Sequence, residues 1–157
     1  MSRKRCKRRQ VTLVDPVATA IANAGRLSLA EVKRLIAPAQ AAFDKMREGV
    51  ATCDDWSFVV GALMLAWTIE RGGIVRGLAP QLTEADEALV AIERRACAQT
   101  GDWLAPTLYG HEVKSLRSML HLHAFQLSQL SYREWREASQ TTCNRVRGGR
   151  GRDLQVI

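Results

Sequence analysis

Apolar positions recur every three to four residues along most of the chain, a period that belongs to helices rather than strands. Asp15-Pro16 offers an N-cap followed by a proline in the first helical turn, and Gly25 a stop, so a short helix is predicted over 16–24. Ser28-Leu29-Ala30-Glu31 has capping-box spacing, in which the Ser hydroxyl and the Glu carboxylate each take an amide that the helix start leaves free. The helix it opens runs through Leu35, Ile36, Phe43 and Met46 to Gly49, and Pro38 is expected to kink or split it by removing one ladder donor. Thr52 with Asp54 and Asp55 caps the next helix, which Gly72-Gly73 ends. Trp56, Val59, Val60, Leu63 and Trp67 line one of its faces, and Phe58, Ala62, Leu65 and Ile69 the opposite one. A helix apolar all round is central to its fold or lies in a subunit interface.

After Gly77 and Pro80, the spacing of Leu82, Ala85, Leu89, Ile92 and Ala96 predicts a helix over 82–99 that Gly101 terminates. Residues 102–110, with Trp103, Pro106 and Tyr109, form an irregular connection. A further helix is predicted over 111–130, its core face made by Val113, Leu116, Leu120, His123, Ala124 and Leu127. Leu122 and Phe125 fall outside that stripe and need a partner, either another helix of the chain or a second subunit. Ser131-Tyr132-Arg133-Glu134 is another capping box and opens a last helix reaching 147. Tyr132, Trp135, Ser139, Cys143 and Val146 are expected to face inward, with Arg133, Arg136 and Arg147 sharing the outer face.

A length of 157 residues suits one domain, and 46% hydrophobic residues suffice for a core. The low aromatic content of 6% beside abundant Ala and Leu favours helices over a sandwich or barrel. The expected architecture is all-α: a single compact domain of five or six helices, orthogonal or bundle-like, with flexible basic N- and C-terminal arms. Residues 1–14 form the N-terminal arm, 15–147 the helical domain and 148–157 a Gly/Arg-rich tail.

Charge separates these parts more sharply than hydropathy does. Residues 1–9 hold six basic side chains and no acid; residues 145–157 hold four against one; residues 10–144 hold 13 basic and 15 acidic. The net charge of +7 therefore rests on the ends. Such arms suit a polyanion, because Arg and Lys gain affinity for nucleic acid by releasing condensed counterions. Solubilising tails, an anionic membrane surface or an acidic protein are the weaker readings. The longest apolar run, residues 56–69, falls short of the roughly 20 residues that span a bilayer, so it reads as a buried helix. No secretory signal follows the basic start, which predicts a cytoplasmic location and reduced thiols.

The spacing of Cys6, Cys53, Cys97 and Cys143 fits no zinc motif. His121 and His123 stand two residues apart, about 200° around a helix, and cannot easily share a metal. His123 is expected to be a satisfied core histidine. Catalytic signatures such as a P-loop, G-x-S-x-G or H-E-x-x-H are missing, and Glu84, Asp86, Glu87 and Glu93 read as a solvated acidic face. No catalytic residue, metal or cofactor is assigned. Leu130-Ser131-Tyr132-Arg133-Glu134 resembles the opening of helix-turn-helix regulators, but only a glycine-arginine stretch follows the helix it starts.

Several short segments together carry a broader resemblance over residues 15–146. They are Asp15-Pro16, residues 49–56 with Thr52 and Asp54-Asp55, Gly73-Ile74, Ala88-Leu89, Thr100-Gly101, Glu112 and His123-Ala124-Phe125-Gln126-Leu127. In these the chain resembles a group of small uncharacterised all-helical proteobacterial proteins often encoded in prophages and plasmids. It departs from them in its longer Arg-rich start and in Trp67, Glu70 and Arg71. The resemblance implies an all-α accessory protein of a mobile element and supplies no activity.

The leading expectation is a non-enzymatic nucleic-acid-binding accessory or regulatory protein. It would hold phosphate through Arg3, Lys4, Arg5, Lys7, Arg8, Arg9, Arg133, Arg136, Arg147, Arg150 and Arg152. The alternative is a mobile-element-encoded inhibitor or adaptor acting on a host protein complex, or a homodimer, with Phe58, Leu65, Leu122 and Phe125 as its partner surface.

Overall fold

Five helices follow one another in the computed structural model, which describes residues 17, 20, 23–98 and 102–148: α1 (Leu29–Glu48), α2 (Cys53–Gly72), α3 (Ala79–Ala96), α4 (Gly110–Gln129) and α5 (Tyr132–Arg147). The fold is all-α. Among the described residues the only strand-like pairing is a single bridge between Arg26 and Ser131. Val17, Ala20, Asn23 and Ala24 are helical, and the rest of the predicted 16–24 helix lies outside the described residues. So do Gly101, the basic positions 3–9, 150 and 152, and the bulk of both arms.

Three of the predicted caps form where the sequence places them, and the Asp15 cap lies outside the described residues. Ser28, Thr52 and Ser131 accept from the amides of Glu31, Asp55 and Glu134, whose carboxylates return to the cap amides at 2.8, 2.9 and 2.7 Å. α1 and α3 differ from expectation, and α3 does so at both ends, closing at Ala96 rather than at 99. α1 is not split at Pro38, which lies inside one continuous helix. Pro38 and Arg34 are both exposed, so the Arg34 carbonyl that loses its donor faces water while the opposite side of the helix stays packed. α3 begins at Ala79, ahead of the predicted 82, because Pro80 occupies the first turn, where no amide is needed. Its start is capped from another helix: Glu70 Oε1 accepts from the Gly77 and Leu78 amides at 2.8 and 3.2 Å.

α1 and α3 each pack on both α2 and α4, and α2 touches every other helix, which makes a ring in the order α1–α2–α3–α4. Leu27 N donates to Leu130 O at 2.9 Å, setting the start of α1 beside the end of α4. At the other end Trp103 Nε1 donates to Ala51 O at 2.7 Å, joining the α1–α2 turn to the α3–α4 connection. The result is an up-and-down four-helix bundle around Ile36, Phe43, Leu63, Leu82, Leu89, Ile92, Leu116 and Met119. The apolar-all-round α2 is the central helix.

α5 crosses the C-terminal half of α2. Leu65, Trp135 and Ala138 close over a second cluster of Leu27, Val32, Ile69, Leu127 and Leu130. Its inward face is rotated from the expected one. Thr142 is buried, whereas Tyr132, Cys143 and Val146 are exposed, because the contact with α2 is partly polar: Thr142 Oγ1 lies 2.9 Å from Thr68 Oγ1.

Candidate functional site

The outer face of α5 is built from its N-terminus. Besides the Ser131–Glu134 cap, Tyr132 N donates to Gly25 O at 3.1 Å, so the segment preceding α1 is stitched to the start of α5. That stitch places Asn23 beside the helix. Asn23, Arg133, Arg136, Glu137 and Gln140 line a shallow groove of about 300 Å³.

Arg133, Arg136 and Arg147 are exposed on this side of α5. Arg133 Nε lies 3.1 Å from Glu137 Oε1, with the two side chains 73% and 64% exposed, a surface pair worth about 0–1 kcal/mol and easily exchanged for a phosphate. Among the described residues Arg136 and Arg147 form no ion pair. Eleven residues separate them, about 16 Å along one helix face. The structure thus brings three of the expected cationic residues onto one helix. Arg3, Lys4, Arg5, Lys7, Arg8, Arg9, Arg150 and Arg152 lie outside the described residues.

The expected apolar surface is not one patch. Phe58 and Phe125 are 54% and 53% exposed, Leu122 is half-buried, and Leu65 packs on the second cluster. α2 and α4 run parallel across the ring, and Gln126 of α4 reaches Ala66 of α2 at 3.2 Å. Phe58, eight residues before Ala66, therefore sits about 12 Å further toward the other end of the bundle than Phe125.

Two placements of charged side chains escape sequence reading. Glu112 is fully buried, and its carboxylate receives Arg95 Nη1 and Nη2 at 2.8 and 2.7 Å and the Tyr109 amide at 2.8 Å. Burial pushes this carboxyl up, but those hydrogen bonds outweigh it and leave Glu112 below the usual carboxylate range. The Arg95 guanidinium lies 4.4 Å from the centre of the Tyr109 ring, so the cluster pins the connection entering α4. At the same end of the bundle Asp55 is lowered to about 2 by Lys45 at 2.8 Å and by the Thr52 amide and hydroxyl. The second is Arg145. It shares the inner face of α5 with Ala138 and Thr142, a placement that the 3.6-residue period shows once Thr142 is known to be buried.

Glu84 and Glu87 are exposed and share a groove of about 440 Å³ with His111 and Lys114, a mixed-charge surface between α3 and α4. Among the described residues no helix is long and apolar enough to cross a membrane. No protein-family profile, curated protein or solved structure matches the chain.

Proposed function

We propose that this is a non-enzymatic nucleic-acid-binding accessory or regulatory protein that grips the phosphate backbone through the outer face of α5 and the basic segments joined to it. The observation that carries the reading is the meeting of Asn23 with Arg133, Arg136, Gln140 and Glu137, the last paired with Arg133, in one groove. The described segment around Asn23 and Gly25 lies beside the start of α5, and α5 itself ends in Arg145 and Arg147. Residues 10–144 carry two more acids than bases, so the net positive charge lies in residues 1–9 and 145–157, the latter beginning within α5. Charges arranged this way position a polyanion without reading base edges, so sequence preference would come from other contacts. In this reading the protein works in the cytoplasm as an accessory of a mobile element, as its resemblance to prophage- and plasmid-encoded proteins implies.

A second reading, an inhibitor or adaptor acting on a host complex or a self-associating protein, draws on the half-exposed Phe58 and Phe125. Equilibrium binding to duplex DNA, single-stranded DNA and RNA between about 50 and 400 mM salt separates the two. Nucleic-acid binding gives a steep, linear fall of log affinity with log salt. Absence of binding at the lowest salt on all three probes overturns the reading.

A further inference from the structure

The outer surface of α4 differs in charge from that of every other helix. Beyond Gly110 its exposed positions are His111, Lys114, Arg117, His121 and Phe125, and its one acid, Glu112, is fully buried. Each of the other four helices exposes at least one carboxylate. Lys114, Arg117, His121 and Phe125 fall within about 80° of one another around the helix and form a stripe about 16 Å long.

The two ends of the stripe meet different neighbours. His111 and Lys114 share their groove with Glu84 and Glu87 of α3, which offset them. Arg117 and His121 instead line a groove of about 230 Å³ with Gln40, Asp44 and Arg47 of α1. Arg47 Nη1 engages Asp44 at 3.2 Å, and Arg117 forms no ion pair among the described residues. Lys33 is exposed on the same side of α1 as Gln40, two turns earlier. The helices are antiparallel, with Leu27 beside Leu130 and Gln40 opposite Arg117 and His121, so Lys33 comes level with Phe125. Three cationic side chains against one carboxylate thus surround a phenylalanine that is 53% exposed. Phe58, the other exposed phenylalanine, has Asp54 one turn before it, and α2 holds no cation ahead of Arg71.

We propose that this part of the α1–α4 face binds an unpaired nucleic-acid strand, with a base stacked on Phe125 and the neighbouring phosphates held by Lys33, Arg47 and Arg117. A base offers its π-face to a side chain only when it is out of a duplex, so the ring selects single strands. The cations beside it take the backbone by releasing its counterions. An acidic peptide would satisfy the cations and leave the ring uncovered, and an apolar partner would cover the ring at the cost of drying the cations. Neither contact reaches the sugar 2′ position, so DNA and RNA strands bind alike. The inference deepens the nucleic-acid reading and rests on it, but assigns single strands to α1 and α4 rather than to α5.

The test compares binding of the full chain to a labelled oligothymidylate, the matching oligouridylate and a duplex, each of about 15 nucleotides per strand. Phe125→Leu keeps an apolar side chain but removes the ring, and weakens binding to both single strands by about fivefold or more and to the duplex by less than about twofold. Phe125→Trp restores single-strand binding. Arg117→Gln lowers the slope of log affinity against log salt for the single strands by about 0.7. Both positions are exposed, so these variants keep the circular dichroism of the wild type. If single strands bind but Phe125→Leu leaves the affinity for either of them unchanged, or weakens the duplex equally, this proposal falls while the α5 reading stands. Polyglutamate that displaces the strand as well as unlabelled oligothymidylate does also overturns it, in favour of an acidic protein partner. Absence of binding to all three probes overturns both.

Discussion

His123 and Gln126 hold one another inside the bundle: Nδ1 lies 3.3 Å from Oε1, both residues are buried, and Gln126 Nε2 donates to the Ala66 carbonyl of α2 at 3.2 Å. Because the amide nitrogen is committed to Ala66, its oxygen faces the ring, and this network assigns the imidazole proton to Nδ1. The pair ties α4 to the central helix across the diagonal of the ring. Burial pushes His123 down to about 4, with the Gln126 hydrogen bond opposing only part of the shift.

That depression sets a pH dependence. Between the ordinary value of 6.5 and about 4, the unfolded chain takes up a proton that the folded one refuses, so stability falls as pH drops through this window. The loss approaches about 3 kcal/mol by the lower limit. Urea unfolding at pH 7, 5.5 and 4 measures it. His123→Leu lowers stability at pH 7 by about 1–3 kcal/mol, because Gln126 Oε1 loses its donor, yet it flattens the decline on acidification. An undiminished decline in that variant would contradict the assignment. Asp55 acts in a separate, lower window: its contribution is present above its ordinary 3.8 and is lost as pH falls through about 2.

The helices were legible because their ends carry chemistry as well as periodicity. Ser28, Thr52 and Ser131 each stand three residues ahead of a carboxylate, and all three boxes form. The central place of α2 followed from its having apolar residues on every side. What stayed hidden depends on pairs distant in sequence. Glu70 caps α3 from another helix, Arg95 meets Glu112 across 17 positions, and Thr142 meets Thr68 across 74. The last of these turns α5 so that a polar residue lies underneath and Val146 outside, an arrangement that a hydropathy stripe inverts. Of the candidate interface, Arg133, Arg136 and Arg147 were readable from helical spacing; the approach of Asn23 to them was not.

Arg95→Met leaves the fully buried Glu112 carboxylate without its guanidinium. Removing one member of such a pair costs about 3–5 kcal/mol, and the 28% exposure of Arg95 places the expected loss toward the lower figure. The sign of its pH dependence is diagnostic. With the cation gone, burial raises the Glu112 carboxyl, so acidification from pH 7 toward 5 recovers part of the deficit relative to wild type. The double variant Arg95→Met, Glu112→Gln recovers part of it at neutral pH. Equal stability of the single and double variants at pH 7 would show that the pair is not coupled.

If the outer face of α5 grips phosphate, Arg136→Gln with Arg147→Gln weakens binding to all duplex sequences alike and lowers the slope of log affinity against log salt by about two. Deleting residues 1–9, which hold six basic side chains, lowers it by up to about five while leaving thermal unfolding of the helical body unchanged. Fluorescence anisotropy across a salt series reads both. Slopes identical to wild type in both variants would remove these residues from the interface.

Phe125 and Leu65 give opposite outcomes when made acidic, because their burial differs. Leu65 packs against the cluster of Ile69, Leu127 and Leu130, so Leu65→Glu puts a charge against apolar surface, costs several kcal/mol and unfolds the domain. Phe125 and Phe58 are 53% and 54% exposed, so Phe125→Glu and Phe58→Glu change stability by less than about 1 kcal/mol. Leu122→Glu, at a half-buried position beside Phe125, falls between them. The double variant Phe58→Glu, Phe125→Glu is therefore a folded protein from which the two exposed phenylalanines have been removed. If they form a contact with a second copy or a host protein, its sedimentation mass or partner retention drops while its circular dichroism and melting temperature stay near those of wild type. Unchanged mass and retention in a folded double variant would eliminate the partner surface and leave the basic face of α5 as the stronger basis for function.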